Sequence, residues 1–332
     1  MTMVNVAFSS AGRRVELLKA FRDAYRNLGL TGNIIALDVD PLAPALQVAD
    51  RAYIVPRLQE ASFVPALIEI CVRDKVQLIF PLTDRDIPIL ASRREEIERT
   101  DAKVVVVSSE AAQMTADKWL TIQFFQRLGL PTPQSWIPSG LDPERASYPL
   151  FIKPRMGSAG KGTYKVESRH ELAFFTEYVS DPIVQEYLSG PEVTSDVICD
   201  LDGDLLGVVC RQRIEVRWGE VAKGVTIHNS EIIEGCARIA RELPSVGPIT
   251  VQCFLEKGRP RFTEINARFA GGVPLGIRAG LDAPRLLLAR AAHLPVQIPP
   301  LGSYSVGLYM TRFDDSLFLT ESDRARMASR CL

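Results

Sequence analysis

Glu264, Asn266 and Arg268 occupy alternate positions of the stretch TEINARFAGG, separated by apolar residues and followed by two glycines. Positions i, i+2 and i+4 of a strand share one face, so the stretch sets a carboxylate, an amide and a guanidinium in one row. Two readings stand for it. It is either a solvated face carrying a Glu/Arg pair or a row that meets a ligand, because an unpaired carboxylate is costly to bury and a cation or anion removes that cost. Upstream, VQCFLEKGRPRF turns at Lys257-Gly258, and a three-residue loop there sets Gln252 opposite Glu264. Gln252, Glu264 and Asn266 then converge as hard oxygen donors suited to a magnesium ion shared with phosphates.

Three further stretches carry groups of similar character. FIKPRMGSAGKGTYKV places Gly157, Ser158, Gly160 and Gly162 between strand signals and brackets them with Lys153 and Lys161. Glycine lets backbone N–H groups turn toward phosphate oxygens; a flexible hairpin is the alternative, and the spacing is not that of a Walker A loop. IVQEYLSGPEVTSDV ends a strand at Glu186 and brings Glu192 after a Ser-Gly-Pro turn. Backbone at such an end can meet a planar base, and a nearby carboxylate ribose hydroxyls.

SSAGRR enters a helix with Arg13 and Arg14 in its first turn, where the macrodipole disfavours cations. Two readings stand: either Ser10, Gly12 and Arg13 help bind a carboxylate or a phosphate, or both arginines point to solvent. TDRD offers Asp84 and Asp86 at another strand end, where an amine can be recognised. Arg278, in GGVPLGIRAGLDAP, either takes a carboxylate or caps a helix. The single glycine of SSAGRR rules out a dinucleotide fingerprint.

The elements that must position these groups follow from periodicity. Residues 4–8, 33–38, 52–56, 76–82 and 103–108 are short β-branched runs separated by helical patterns, which predicts a parallel sheet with covering helices. One helix is expected from Ala111 to Leu128, ended by Gly129 and Pro131. Past the proline-rich stretch that follows, the strands read as antiparallel hairpins, with turns at DLDGDL and LEKGRP.

At 332 residues, 46% hydrophobic and 24% charged with a net charge of -1, the chain suits two or three globular domains. It gives no electrostatic basis for nucleic acid or membrane partners. Six cysteines without a C-x-x-C pair read as buried free thiols, and with no apolar run of membrane-spanning length a cytoplasmic location is expected. Three histidines far apart in sequence argue against a zinc centre or a Ser-His relay.

DKW, IKPRMGSAGKG, VQEYLSGPE and TEINARFAGG, in this order, resemble the ATP-grasp superfamily and most closely its carbamoyl-phosphate-synthase-like carboxylate-amine ligases. The resemblance implies an α/β and α+β chain: a parallel α/β pre-ATP-grasp domain at 1–112, a small lid subdomain at 113–187 and a large subdomain with the metal site at 188–332. It further implies that Lys118 and Lys153 contact ATP phosphates under the glycine loop, that Glu186, Tyr187 and Leu188 hold adenine, and that Glu192 holds the ribose. Glu264 and Asn266, with Gln252, would bind one or two Mg²⁺ ions. Arg268 would stabilise the transferred phosphate, with Arg217 as a γ-phosphate contact. The implied activity is phosphorylation of a small carboxylate by ATP, then displacement of phosphate by an amine. Phosphorylation of bicarbonate or carbamate is an alternative, as is a non-catalytic ATP-binding module. The expected partners are small molecules, and a homodimer is compatible with this reading.

Overall fold

The computed structural model describes residues 3–157, 160–217 and 219–328; the side chains of 326–328 lie outside the description. Five strands form the first sheet: β1 (Asn5–Ser9), β2 (Ile34–Asp38), β3 (Arg51–Ile54), β4 (Val76–Pro81) and β5 (Lys103–Val104). All pair in parallel, in the order β3-β2-β1-β4-β5. The strand order reverses between β1 and β4, and crossover helices diverge at such a switch point to leave a crevice at the strands' C-terminal ends. The loops after β1 and β4, which carry SSAGRR and TDRD, open into that crevice. The run expected as a strand over 103–108 pairs only at Lys103 and Val104, although Val105, Val106 and Val107 are buried.

The second sheet is small: β6 (Ser135–Trp136), β7 (Leu150–Pro154), β8 (Tyr164–Val166) and β9 (Pro182–Glu186), in the order β6-β9-β7-β8. It has its own core, centred on Leu150, Ile152, Val166, Leu172, Val179 and Val184. The third sheet, in the order β14-β13-β10-β11-β12-β15, comprises β10 (Glu192–Cys199), β11 (Leu205–Arg217), β12 (Glu220–Ile227), β13 (Pro248–Glu256), β14 (Arg259–Asn266) and β15 (Tyr309–Thr311). The first and third sheets share apolar cores. Phe80 of β4 lies 5.6 Å from Phe269, ring centre to ring centre, and buried side chains of both sheets form continuous clusters.

The single helix expected from Ala111 to Leu128 is two helices, Ser109–Ala116 and Lys118–Arg127. Asp117 between them adopts an extended backbone, and its carboxylate accepts from the N–H groups of Trp119 and Leu120. The side chain thus does at an N-cap what the preceding helix no longer can. The second helix packs on β14 through Phe125 and Phe262, with ring centres 5.7 Å apart, so this part of the 113–187 segment sits against the large sheet.

The described cysteines, Cys71, Cys199, Cys210, Cys236 and Cys253, are free and buried. No helix among the described residues is long and apolar enough to cross a membrane.

Candidate active site

Hairpin geometry sets the row of TEINARFAGG. The turn has two residues, Lys257 and Gly258, both with positive φ, and Glu256 pairs with Arg259. A bulge beside Gln252 and Cys253 then adds the extra residue that a three-residue loop would have supplied, so Gln252 still faces Glu264. Along β14 and just beyond it, Thr263, Ile265 and Ala267 are buried while Glu264, Asn266 and Arg268 are partly exposed, the period-two alternation of a row.

That row forms one wall of a cleft of about 1360 Å³ where the three sheets meet. Lys118, Lys153, Gly157, Gly160, Glu186, Tyr187, Leu188, Glu192, Gln252, Glu264, Asn266, Arg268 and Asp84 all line it. The strand end Glu186 to Leu188 borders the cleft, with the Lys165 ammonium 5.1 Å from the centre of the Tyr187 ring. Gly157 and Gly160, with φ of 135° and 66°, take backbone conformations that disfavour a side chain. Ser158 lies outside the described residues.

Asp117 places the lysines. Its carboxylate, which caps the following helix, also pairs with Arg155 at the end of β7. The Lys118 backbone N–H donates to the Arg155 carbonyl, and Lys118 Nζ donates to the Gly157 carbonyl at 2.6 Å. An Asp directly before a helical run is the sequence signal for this N-cap, which the resemblance through DKW leaves without a role. Lys153, on β7, is buried, and among the described residues Nζ has no hydrogen-bond acceptor. Burial pushes its ammonium down to about 8; the nearby Lys118 charge acts in the same direction, and Glu264 and Glu192 oppose it. A buried cation of this kind fits a phosphate group.

The oxygen donors divide into two sets. Among the described residues the Glu264 carboxylate accepts no hydrogen bond, and Asn266 uses only Nδ2, which donates to Gln252 Oε1 at 2.8 Å. Glu264 and Asn266 Oδ1 are therefore available to a hard cation. Gln252 is engaged with its neighbours: its carbonyl oxygen accepts from Asn266, and its Nε2 donates to Glu192 Oε1 at 2.6 Å, which leaves Oε1 one further lone pair. Glu192 Oε1 also accepts from Arg213 Nη1 at 2.6 Å, which ties the carboxylate expected at a ribose to the edge of the metal row.

The two glycines after the row make room for charge. A Cβ on Gly272 would lie 2.3 Å from Arg211 Nη1, and one on Gly271 would lie 2.9 Å from Arg14 Nη1. Arg211 is buried and forms two hydrogen bonds with Asp196, of 2.7 and 2.8 Å, beneath the helix Val273–Ala279.

Several expected residues lie elsewhere. Arg217 does not line the cleft; its guanidinium pairs with Glu215 at 2.6 Å on the exposed end of β11, and Arg213 and Arg211 are the arginines of that strand that face inward. Gly162 packs toward Pro154 and is not on the cleft wall. The helix begins at Val15, so Arg13 and Arg14 precede it, and Arg14, not the exposed Arg13, reaches the cleft. The Ser10 hydroxyl donates to Asp86 at 2.8 Å, and the Gly12 N–H donates to Asp38 at 2.7 Å. Both hold the loop's shape. Asp86 is buried, with its carboxyl pushed up by desolvation, and faces Ser10 and Thr83 instead of the cleft. Arg278 is exposed in a separate depression with Glu16 and Asp282.

Comparison with known proteins bears on the family and the fold. Residues 6–105 match the family model described as PylC-like, N-terminal domain, and residues 115–272 match the model described as ATP-grasp domain. Residues 115–272 therefore form an ATP-grasp domain, preceded by a PylC-like N-terminal domain. It is 28% identical over 159 residues to a carbamoyl-phosphate synthase of Methanobrevibacter smithii, covering 46% of this chain and 42% of that protein. It is 26% identical over 264 residues to the 3-methyl-D-ornithine--L-lysine ligase of Methanosarcina acetivorans, covering 78% of this chain and 67% of that one. The chain thus spans less than half of the first relative and two thirds of the second. Among solved structures, the biotin carboxylase domain of Hydrogenobacter thermophilus 2-oxoglutarate carboxylase superposes with a TM-score of 0.72 at 17% identity, over 93% of this chain and 74% of that one. At that identity the likeness is one of fold.

Proposed function

We propose that this protein is an ATP- and Mg²⁺-dependent ligase that phosphorylates a small carboxylate and lets an amine displace the phosphate, forming an amide or peptide-like bond. The observation that carries the reading is the convergence, in one cleft, of a buried Lys153 lacking an acceptor, the hydrogen-bond-free carboxylate of Glu264 beside Asn266 Oδ1, and Arg268 at the end of the same row. The ligase of Methanosarcina acetivorans, similar over most of this chain, supports it by its name.

In this reading Lys153 and Lys118 bind the phosphates, and Glu186 to Leu188 border the base. Glu264 and Asn266 hold Mg²⁺, which supplies positive charge to the phosphates when bound. Arg268 neutralises charge that develops on the phosphoryl group as it leaves ATP for the carboxylate oxygen, an effect worth most in a cleft screened from water. Gly157 and Gly160 line the cleft beside Lys118, where closure over the phosphates would protect the acyl phosphate from hydrolysis. No side-chain nucleophile is required, in keeping with the scarcity of histidine.

The test is release of ADP and phosphate from Mg²⁺-ATP across carboxylates, amino acids and bicarbonate, singly and with amines. Turnover that requires a carboxylate together with an amine supports the ligase; turnover with bicarbonate alone favours carbamoyl-phosphate-type chemistry, which the Methanobrevibacter smithii relative performs by its name. ATP binding without turnover under every condition would leave the non-catalytic module.

A further inference from the structure

At the end of the cleft formed by the first sheet, three guanidinium groups come within electrostatic reach of one another: Arg14, Arg268 and Arg312. Two are committed. Arg268 donates to Asp84 at 2.6 Å and to the Phe269 carbonyl at 3.1 Å. Arg312 pairs with Glu16 at 2.7 Å and Glu220 at 3.1 Å and donates to the Gly271 carbonyl. Arg14 is not committed. Its side chain is only 15% exposed, yet among the described residues its single ion pair is a 3.4 Å contact with Glu220, and none of its five N–H donors makes a hydrogen bond.

Such a guanidinium is out of balance with its surroundings. Burial, with the neighbouring charges of Arg268 and Arg312, pulls it down to about 10, and Glu220 and Asp84 only partly compensate. Glu220 is 42% exposed and keeps Arg312 as a partner, so it can release Arg14 without being left unpaired. The missing side chain at Gly271 keeps the space beside Arg14 Nη1 open. Together these are the features of a subsite for an oxyanion: planar paired donors, partial desolvation, and a weak internal counter-ion that yields to a better one.

We propose that Arg14 is a specificity residue that binds a second carboxylate, one that is not phosphorylated, carried by a substrate lying between Arg268 and the first sheet. The inference rests on the ligase reading above and adds to it the class of substrate. That carboxylate belongs either to the activated molecule, which is then a dicarboxylate, or to the amine, which is then an amino acid. Arg14 exchanges Glu220 for it; no covalent step is involved.

The experiment measures ADP release from Mg²⁺-ATP with matched pairs: acetate with methylamine, succinate or glutarate with methylamine, acetate with α-amino acids, and α-amino acids with one another. Binding of a fluorescent ATP analogue with Mg²⁺ is measured in parallel. The expected result is that wild-type turnover requires the additional carboxylate, and the successful pair shows which substrate carries it. For that compound Arg14→Met raises KM roughly 10- to 100-fold, the loss of a paired charge-assisted contact, while kcat and analogue binding stay within about threefold. Arg14→Lys falls between the two. Equal turnover with acetate and methylamine, an unchanged KM in Arg14→Met, or silence of every pair despite analogue binding each overturns the proposal while leaving the nucleotide site in place. Failure of wild-type protein to bind the analogue overturns the ligase reading itself, and this proposal with it.

Discussion

Arg268 and Asp84 form an ion pair of 2.6 Å that joins the end of the TEINAR row to the loop after β4. The two residues are 184 positions apart, and the pair closes the cleft where the first and third sheets meet. It fixes the direction of a guanidinium whose Nε, among the described residues, is buried without a partner. In the ligase reading proposed above, Asp84 would therefore position Arg268.

Arg268→Ala is expected to lower kcat by about 10²- to 10³-fold, the scale of a lost donor to a developing oxyanion. Asp84→Asn keeps the shape of the loop but removes the charge that orients Arg268, and should lower kcat less, with little change in nucleotide affinity. Steady-state kinetics beside direct ATP-analogue binding separate the two effects. A fall in analogue binding that matches the fall in kcat would show that Arg268 is a ground-state contact.

For the metal row, Glu264→Gln should abolish turnover and leave the thermal unfolding midpoint of the nucleotide-free protein nearly unchanged, because among the described residues the wild-type carboxylate accepts no hydrogen bond that folding depends on. Chelation of Mg²⁺ in wild type should give the same silence. Gln252→Ala should be milder, since the Gln252 side chain is already engaged with Asn266 and Glu192. Equal loss in both variants would put Gln252 among the ligands after all.

Lys153 predicts a pH dependence. Its folded value of about 8 lies below the ordinary 10.5, chiefly through burial. Between these values the unfolded chain binds more protons than the folded one, so stability rises with pH across the window, and the burial penalty is fully present below about 8. Nucleotide affinity should run the other way and weaken as pH rises above about 8, where the empty site loses its ammonium. Lys153→Arg should flatten that limb in titrations of ATP-analogue binding from neutral to alkaline pH.

The buried Asp196–Arg211 pair predicts a contrast in stability. Asp196→Ala leaves an unpaired buried guanidinium and is expected to cost about 3–5 kcal/mol, whereas Asp196→Leu with Arg211→Met replaces both charges by apolar volume and should cost less. Gly272→Ala, whose Cβ would press on Arg211 Nη1, should destabilise by about 1–3 kcal/mol. Urea unfolding of the variants measures all three. A double variant as unstable as Asp196→Ala would show that the pair does more than balance charge.

Local order in the chain determined the row itself. Period-two alternation alone places Glu264, Asn266 and Arg268 on one face, but the facing of Gln252 and Glu264, expected from a three-residue loop, is reached through a two-residue turn and a bulge that no local pattern announces. Alternating strand and helix signals likewise specify the parallel first sheet, because a crossover of that length admits little else. Tertiary structure decided which residue of a short charged run faces the cleft. Arg14 points inward and Arg13 outward because a helix begins at Val15 and fixes the rotation of the turn before it. Arg211 and Arg213 face inward while Arg217 lies at the hairpin end of β11, opposite Glu220 and after two register shifts against β12. Asp117 breaks a helix that periodicity reads as continuous, because its carboxylate gains both a cap and Arg155 from a strand 38 residues away. Periodicity is a property of neighbours along the chain; which charge meets which across the cleft depends on packing among three sheets, and no local pattern records it.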